Sequence, residues 1–121
     1  MKVQIGVVGP CAAGKTTLVD SLKKYGYACK HIAQEHSYVD DMWKRLTNPD
    51  ILIYLDVSYP LTIERRHMDW THGEYQEQLR RLKHARSHAD LYINTDELTS
   101  KEVLTKVLKY LNTPSPSPPD I

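Results

Sequence analysis

The sequence predicts an α/β protein, a three-layer α/β/α fold built on a small parallel sheet of about four strands. The hydrophobic pattern alternates between strand and helix along the chain, and strands separated by helices form parallel sheets through right-handed crossovers. Residues 3–8 are apolar at nearly every position, which is typical of a strand covered on both faces. With 121 residues and 40% hydrophobic content, the chain is long enough for one stable core.

The first half of the chain contains three strand patterns and two helix patterns. Residues 3–8 and 51–57 give the clearest strands, and residues 27–33 give a weaker one. Residues 15–25 predict an amphipathic helix that ends at a glycine. A short helix is predicted to begin at Ser37 through a capping-box pattern. Its apolar face would contain Val39, Met42, Trp43 and Leu46.

The helices of the second half have clear starting signals. Pro60 suits the first turn of a helix that continues to residue 66. Thr71 and Glu74 form a capping-box pattern for a helix reaching about residue 88, and Thr99 and Glu102 form another for the last helix. Between these two helices lies a short strand pattern, which completes the four strands.

A single domain is predicted over residues 1–112, followed by a tail over residues 113–121. The tail has four prolines in nine residues and no hydrophobic period, so it is predicted to be extended and disordered. The last predicted strand, residues 91–94, and the helix after it precede this tail.

Composition and charge exclude several classes of function. Sixteen Lys and Arg residues against fifteen Asp and Glu residues leave a net charge of +1, which argues against a nucleic-acid or anionic-membrane binder. No apolar run is long enough for a membrane span. The two cysteines cannot build a disulfide framework, so a cytoplasmic location is predicted.

The sequence GPCAAGKT matches the pattern G-x-x-x-x-G-K-[ST] between a strand and a helix, and such a loop cradles phosphates. Gly9 and Gly14 supply the backbone conformations and clearance that a Cβ would forbid. Lys15 would reach the β- and γ-phosphates, and the Thr16 hydroxyl would be a Mg²⁺ ligand. The predicted nucleotide-binding residues are Gly9, Pro10, Cys11, Ala12, Ala13, Gly14, Lys15, Thr16 and Thr17.

Two carboxylates compete for a role beside the phosphates. Asp56 ends the strand pattern ILIYLD, so it could hold the water shell of magnesium, or it could merely support the following turn. Glu35 follows the second strand, at the edge where open α/β sheets bind their ligands. Glu35 could act as general base or bind magnesium through water, and the sequence leaves both carboxylates open.

Two arginines are candidates for neutralising charge during phosphoryl transfer. Arg65 and Arg66 precede a polar stretch, residues 67–73, which would suit a mobile lid. The alternative is an ordinary solvated helix face. Together with Lys15 and Glu35 they complete the predicted catalytic set.

At this point the chain resembles the small P-loop kinases of the nucleoside-monophosphate and shikimate kinase type. The resemblance rests on GPCAAGKT, on ILIYLDVSYPLTIERR and on ADLYINTDELTSKEVLTKVLKYL. It implies a P-loop fold that binds ATP and Mg²⁺, with Arg65 or Arg66 as a lid arginine and residues 94–98 near the adenine. The resemblance also weakens Asp56 as a magnesium ligand, because that position mostly supports the turn in those kinases.

The chain departs from those kinases where they bind the phosphate acceptor. They usually have five parallel strands and a helical insert, whereas residues 26–50 leave room for only one strand and one short helix. The acceptor site would then come from residues 33–46 or from a second subunit of a homodimer.

Two functions therefore stay open. One is a Mg-ATP-dependent phosphotransferase or NTPase acting on an unidentified small-molecule acceptor. The other is a catalytically weak nucleotide-sensing module that signals to a partner protein.

Overall fold

The computed structural model describes residues 3–66 and 69–112, so the predicted tail lies outside the described residues. Four parallel strands form one sheet in the order β2-β1-β3-β4. This confirms the predicted parallel sheet. The strands are β1 (Gln4–Val8), β2 (Ala28–His31), β3 (Ile51–Asp56) and β4 (Leu91–Asn94).

Helices cover both faces of the sheet, which gives the predicted three layers. A single 3-10 turn, Gln34–His36, follows β2. The helices are α1 (Lys15–Lys24), α2 (Met42–Leu46), α3 (Tyr59–Arg66), α4 (His72–Ser87) and α5 (Ser100–Asn112). None of the helices in the described ranges is long and apolar enough to cross a membrane.

The position of the central strand β3 between two hydrophobic cores explains why its sequence is apolar at nearly every position. Ile53 and Leu55 belong to the core that includes residues of α1 and α5. Leu52 and Tyr54 belong to the core on the opposite face, which contains residues of α2 and α4. Because successive side chains of a strand point to opposite faces, a strand between two helical layers must be apolar at every position.

Two capping boxes are present where the sequence predicts them. The Thr71 hydroxyl accepts a hydrogen bond from the Glu74 amide at 3.1 Å, and the Glu74 carboxylate accepts one from the Thr71 amide at 2.8 Å. Thr99 and Glu102 make the same pair of bonds, at 3.1 and 2.8 Å. These bonds satisfy amides that the first turn of a helix leaves without partners, so each helix begins where its cap stands.

The short helix after β2 begins later than predicted. α2 starts at Met42, and Ser37 does not cap it. Instead, the Ser37 hydroxyl accepts a hydrogen bond from the amide of Val39 at 3.0 Å, which closes a local turn. Val39 and Leu46 are exposed, so the predicted apolar face is wrong for them, whereas Trp43 is buried as predicted.

A buried glutamine explains this later start. The Gln34 side chain is fully buried, donates to the carbonyl oxygen of Val39 at 2.8 Å and accepts from the Trp43 amide at 2.8 Å. It also donates to the carbonyl oxygen of Arg81 in α4 at 3.2 Å. One amide group therefore fixes the turn after β2, the start of α2 and their position against α4.

We expect Gln34→Leu to lower the free energy of unfolding by about 1–3 kcal/mol, because it leaves the buried Trp43 amide without an acceptor. Urea denaturation followed by circular dichroism measures the loss. Gln76→Leu is the matched control, because Gln76 is an exposed residue of α4 and should change stability by less than about 0.5 kcal/mol. Equal effects of the two substitutions would contradict a structural role for Gln34.

Candidate functional site

The loop between β1 and α1 has a backbone that few residues tolerate. Gly14 has φ +95°, in the left-handed region, while a Cβ there would meet open space. At Gly9 the constraint is contact, because a Cβ would lie 2.1 Å from the carbonyl oxygen of Leu55 in β3. Gly14 thus supplies a conformation, and Gly9 allows the loop to leave β1 tightly against its neighbouring strand.

The ammonium group of Lys15 is buried at the centre of this loop, with 6% of the residue exposed. It donates hydrogen bonds to the carbonyl oxygens of Gly9 at 2.6 Å and Pro10 at 3.0 Å. Its Nζ also lies 3.0 Å from Oε2 of Glu35. The loop therefore holds a positive charge that is desolvated but fully partnered.

Glu35 reaches Lys15 from the 3-10 turn that follows β2. Only 2% of Glu35 is exposed, and within the described part of the chain its Oε1 atom has no hydrogen-bond partner. Arg81 of α4 holds the backbone of the turn, donating to the Glu35 carbonyl oxygen at 3.3 Å. A buried acceptor without a donor is costly, so Oε1 marks a place where a ligand can bind.

A cavity of about 260 Å³ lies beside this ion pair. Burial, together with the charge of Lys15, lowers the pKa of the His31 imidazole, so this side chain is neutral at neutral pH. Of the charged residues in its lining, Lys15 and Glu35 pair with each other, so Arg66 supplies the excess positive charge, which favours anionic ligands. Its lining comprises Cys11, Ala12, Gly14, Lys15, Thr16, His31, Glu35, His36 and Arg66.

A second cavity, of about 220 Å³, lies on the other side of the loop. Arg65 borders it and donates to the carbonyl oxygen of Ala12 at 3.1 Å, to the Thr95 hydroxyl at 2.9 Å and to the Thr95 carbonyl oxygen. The remaining lining is mostly small or apolar. The full lining comprises Ala12, Ala13, Gly14, Thr17, Leu18, Arg65, Thr95, Leu98, Ser100 and Val103.

The structure separates the predicted site residues into three places. Lys15, Glu35 and Arg66 border the first cavity, whereas Arg65 borders the second. The Asp56 carboxylate instead accepts hydrogen bonds from the Tyr92 hydroxyl and, at 2.9 Å, from the Val57 amide. Two causes raise the pKa of Tyr92: burial, which is the larger, and this hydrogen bond to Asp56. The tyrosine therefore keeps the proton that it donates.

One site residue is missing from the sequence-based set. Gln78 is buried, accepts from the Cys11 amide at 3.0 Å and donates to Cys11 Sγ at 3.1 Å, which ties the loop to α4. It lies three residues after the buried Tyr75, on the inner face of α4. A search for apolar residues at helical spacing does not select a glutamine at this position. Thr95 lies in the segment of residues 94–98 that the resemblance places near the adenine, and it follows β4 at the same edge of the sheet as Glu35.

Comparison with known proteins gives a fold but no family. No protein-family model matches the sequence, and no curated protein matches it. The structure is similar to that of shikimate kinase from Acinetobacter baumannii in complex with shikimate, with a TM-score of 0.60 and 16% sequence identity. The match covers 92% of this chain and 93% of that chain. The chain therefore has a P-loop kinase-like fold.

Proposed function

We propose that the chain binds Mg-ATP on the loop of residues 9–17 and acts as a small kinase-like phosphotransferase or NTPase. The observation that carries this proposal is the buried Lys15 ammonium, held at the centre of a G-x-x-x-x-G-K-T loop with a cavity on each side. Such a loop offers backbone amides and the start of a helix to phosphate oxygens. The first turn of α1 contains no acidic residue that would oppose an anion.

The first cavity is the proposed phosphate site. Lys15 and Arg66 bring two positive charges to it, and the Thr16 hydroxyl borders it. Phosphate oxygens would replace the oxygens that Lys15 now contacts, and such charge-assisted bonds are stronger than bonds to neutral carbonyl oxygens. Lys15 would hold the β- and γ-phosphates there.

The residues beside this cavity fit a magnesium ion. Mg²⁺ prefers oxygen ligands and usually keeps several waters. Thr16 offers a hydroxyl, and Glu35 offers a buried carboxylate oxygen that lacks a donor. Asp56, whose two oxygens already accept hydrogen bonds, suits support of the turn after β3 better than the magnesium shell. When bound, the ion would neutralise charge on the phosphates.

The second cavity is the proposed base site. Leu98 and Val103 give it apolar surface, and the Arg65 guanidinium forms part of its wall. A planar guanidinium can stack on an aromatic base, so Arg65 would serve nucleoside binding while Arg66 serves the phosphates. ATP is the nucleotide that the kinase-like fold favours.

Phosphoryl transfer needs positioning and charge neutralisation more than covalent chemistry. In the proposed reaction a hydroxyl oxygen of the acceptor, or of water, forms a bond to the γ-phosphorus. The bond between that phosphorus and the β–γ bridging oxygen breaks, and ADP leaves. Glu35 would accept the proton of the attacking hydroxyl, and Lys15 and Arg66 would stabilise the charge on the transferred group.

A nucleotide-sensing module is the second candidate, and one observation favours it. Between β2 and β3 the described chain forms only a 3-10 turn and α2, and Gln34 holds this segment against α4. No separate acceptor-binding segment stands out from the described residues. A phosphate acceptor would have to be small, or a second subunit of a homodimer would have to complete its site.

Turnover separates the two candidates. A phosphotransferase or NTPase releases or transfers γ-phosphate in a screen of hydroxyl acceptors that includes water. A sensing module gives no turnover, yet retains a partner protein on immobilised chain only when nucleotide is present. Either result removes the other candidate.

We expect Lys15→Ala to weaken Mg-ATP binding by about 30-fold or more, because truncating one partner of a buried charge pair costs about 2–5 kcal/mol. Isothermal titration calorimetry with ATP, ADP, GTP and GDP measures the effect and tests the base preference. Lys23→Ala, at an exposed lysine of the same helix, is the matched control and should bind normally.

A second variant distinguishes loss of the nucleotide site from loss of the fold. Lys15→Met combined with Glu35→Gln removes both buried charges, so it should keep the thermal transition of the wild type while losing nucleotide affinity. Unchanged ATP affinity in this folded variant would refute the proposed site.

We expect Arg66→Ala and Arg65→Ala to affect different steps. Loss of the Arg66 guanidinium, which neutralises the γ-phosphoryl group, should slow turnover by roughly 10³-fold and lower nucleotide affinity far less than it lowers the rate. Loss of Arg65, which holds the Ala12 and Thr95 carbonyl oxygens, should instead weaken nucleotide binding. Single-turnover release of labelled phosphate together with calorimetry distinguishes the two, and indistinguishable profiles would contradict this division.

A further inference from the structure

We propose that Cys11, Glu35 and His36 form a binding site for a divalent cation that prefers sulfur and nitrogen ligands, represented by Zn²⁺. Their ligand atoms all lie within 4.8 Å of one another. The cysteine comes from the loop after β1, and the other two residues come from the turn after β2. Two neighbouring strands thus bring a thiol, a carboxylate and an imidazole to one edge of the sheet. The proposed magnesium site shares Glu35 with this cluster but pairs it with Thr16, so the two ions would compete for the same carboxylate.

The three ligand atoms need to move only slightly closer together to bind one metal ion. With Zn–S near 2.3 Å and Zn–N or Zn–O near 2.0–2.2 Å, a tetrahedral site places its ligand atoms about 3.3–3.8 Å apart. The His36 side chain is 62% exposed, so it can rotate towards the others without displacing core residues. Glu35 is held in place by its contact with Lys15.

The carboxylate of Glu35 has one oxygen available for a cation. Oε2 contacts Lys15 and lies 3.8 Å from Nε2 of His36, while Oε1 is buried and has no partner among the described residues. A cation bound to Oε1 would satisfy the atom that the fold leaves without a hydrogen bond. Glu35 would then bridge the ammonium group and the metal, one oxygen to each.

Neighbouring groups orient the sulfur ligand. Gln78 accepts a hydrogen bond from the Cys11 amide at 3.0 Å and donates one to Cys11 Sγ at 3.1 Å. Hydrogen bonds of this kind fix the direction of a metal ligand and commonly accompany metal sites. Since Gln78 is itself buried in α4, the sulfur has a defined position.

The donor set selects the type of metal. A thiolate and an imidazole favour zinc over magnesium, which takes oxygen ligands. On binding, the Cys11 thiol would lose its proton to solvent, and the resulting thiolate and the Glu35 carboxylate would face the two charges of the ion and the single charge of Lys15. Three protein ligands leave the fourth position open to the cavity, where water would complete the tetrahedron.

The test uses the metal alone, without nucleotide, so that its result is independent of the proposed kinase-like function. Co²⁺ is titrated into the reduced full-length chain, and a thiolate-to-Co²⁺ charge-transfer band in the near ultraviolet reports sulfur ligation. Zn²⁺ is then added to displace Co²⁺ and give the zinc affinity. We expect one ion per chain and loss of the band as Zn²⁺ binds.

Matched variants assign the ligands. Cys11→Ser should abolish the charge-transfer band, while Cys29→Ser, which alters the buried cysteine of β2, should retain it. His36→Gln and Glu35→Gln should each weaken zinc binding by at least about tenfold. His88→Gln is the control for histidine, because His88 lies at the end of α4 beside His84.

His36→Gln keeps the proposal falsifiable even if a substitution at Glu35 disturbs the fold, because His36 is exposed. The proposal is overturned if no saturable binding occurs, if the band survives in Cys11→Ser, or if His36→Gln binds zinc as tightly as the wild type.

Discussion

The ion pair between Lys15 and Glu35 is the interaction on which the site depends. It joins the loop after β1 to the turn after β2, and the ammonium group also contacts the Gly9 and Pro10 carbonyl oxygens. Burial of two charges is costly unless each finds partners, and removing one partner leaves the other charge buried and unpaired. Without a ligand, Glu35 and the loop carbonyls therefore serve the ammonium group as phosphate oxygens would. The same contact keeps the glutamate at the edge of the cavity, where its second oxygen has no partner among the described residues.

Two buried amide side chains hold the two sides of this ion pair. Gln34 fixes the segment that contains Glu35, and Gln78 fixes the loop that contains Lys15 through the backbone and sulfur of Cys11. Both connect to α4, one through the Arg81 carbonyl oxygen and the other as a residue of that helix. A primary amide suits this task, because it carries an acceptor and two donors at fixed geometry. α4 therefore acts as a common support, and its position determines the distance between the loop and the glutamate.

The sequence predicts the elements whose cause is local and fails where the cause is tertiary. Strand β3, both capping boxes and the glycine loop follow from hydrophobic period, cap residues and backbone conformation, all of which can be read within a few residues. The start of α2 cannot be read in this way, because the bond from the Trp43 amide to Gln34 overrides the local signal at Ser37. The rule that open α/β sheets bind ligands at the carboxyl ends of their strands places Glu35 at this edge of the sheet, but it does not identify Lys15 as its partner. Gln78 is missed because a polar residue on the inner face of a helix interrupts the apolar pattern.

Adjacent residues at the end of α3 show how one helix serves both sides of the loop. Consecutive residues of a helix point about 100° apart, so Arg65 and Arg66 diverge although they are neighbours in sequence. Arg65 crosses to the Ala12 carbonyl oxygen and Thr95, while Arg66 borders the cavity of Lys15 and Glu35. A shift of α3 would thus move the wall of the proposed base site and the charge at the proposed phosphate site together. Nucleotide that contacts both arginines would favour one position of this helix, so occupancy of the base site would set the position of the charge that phosphoryl transfer requires.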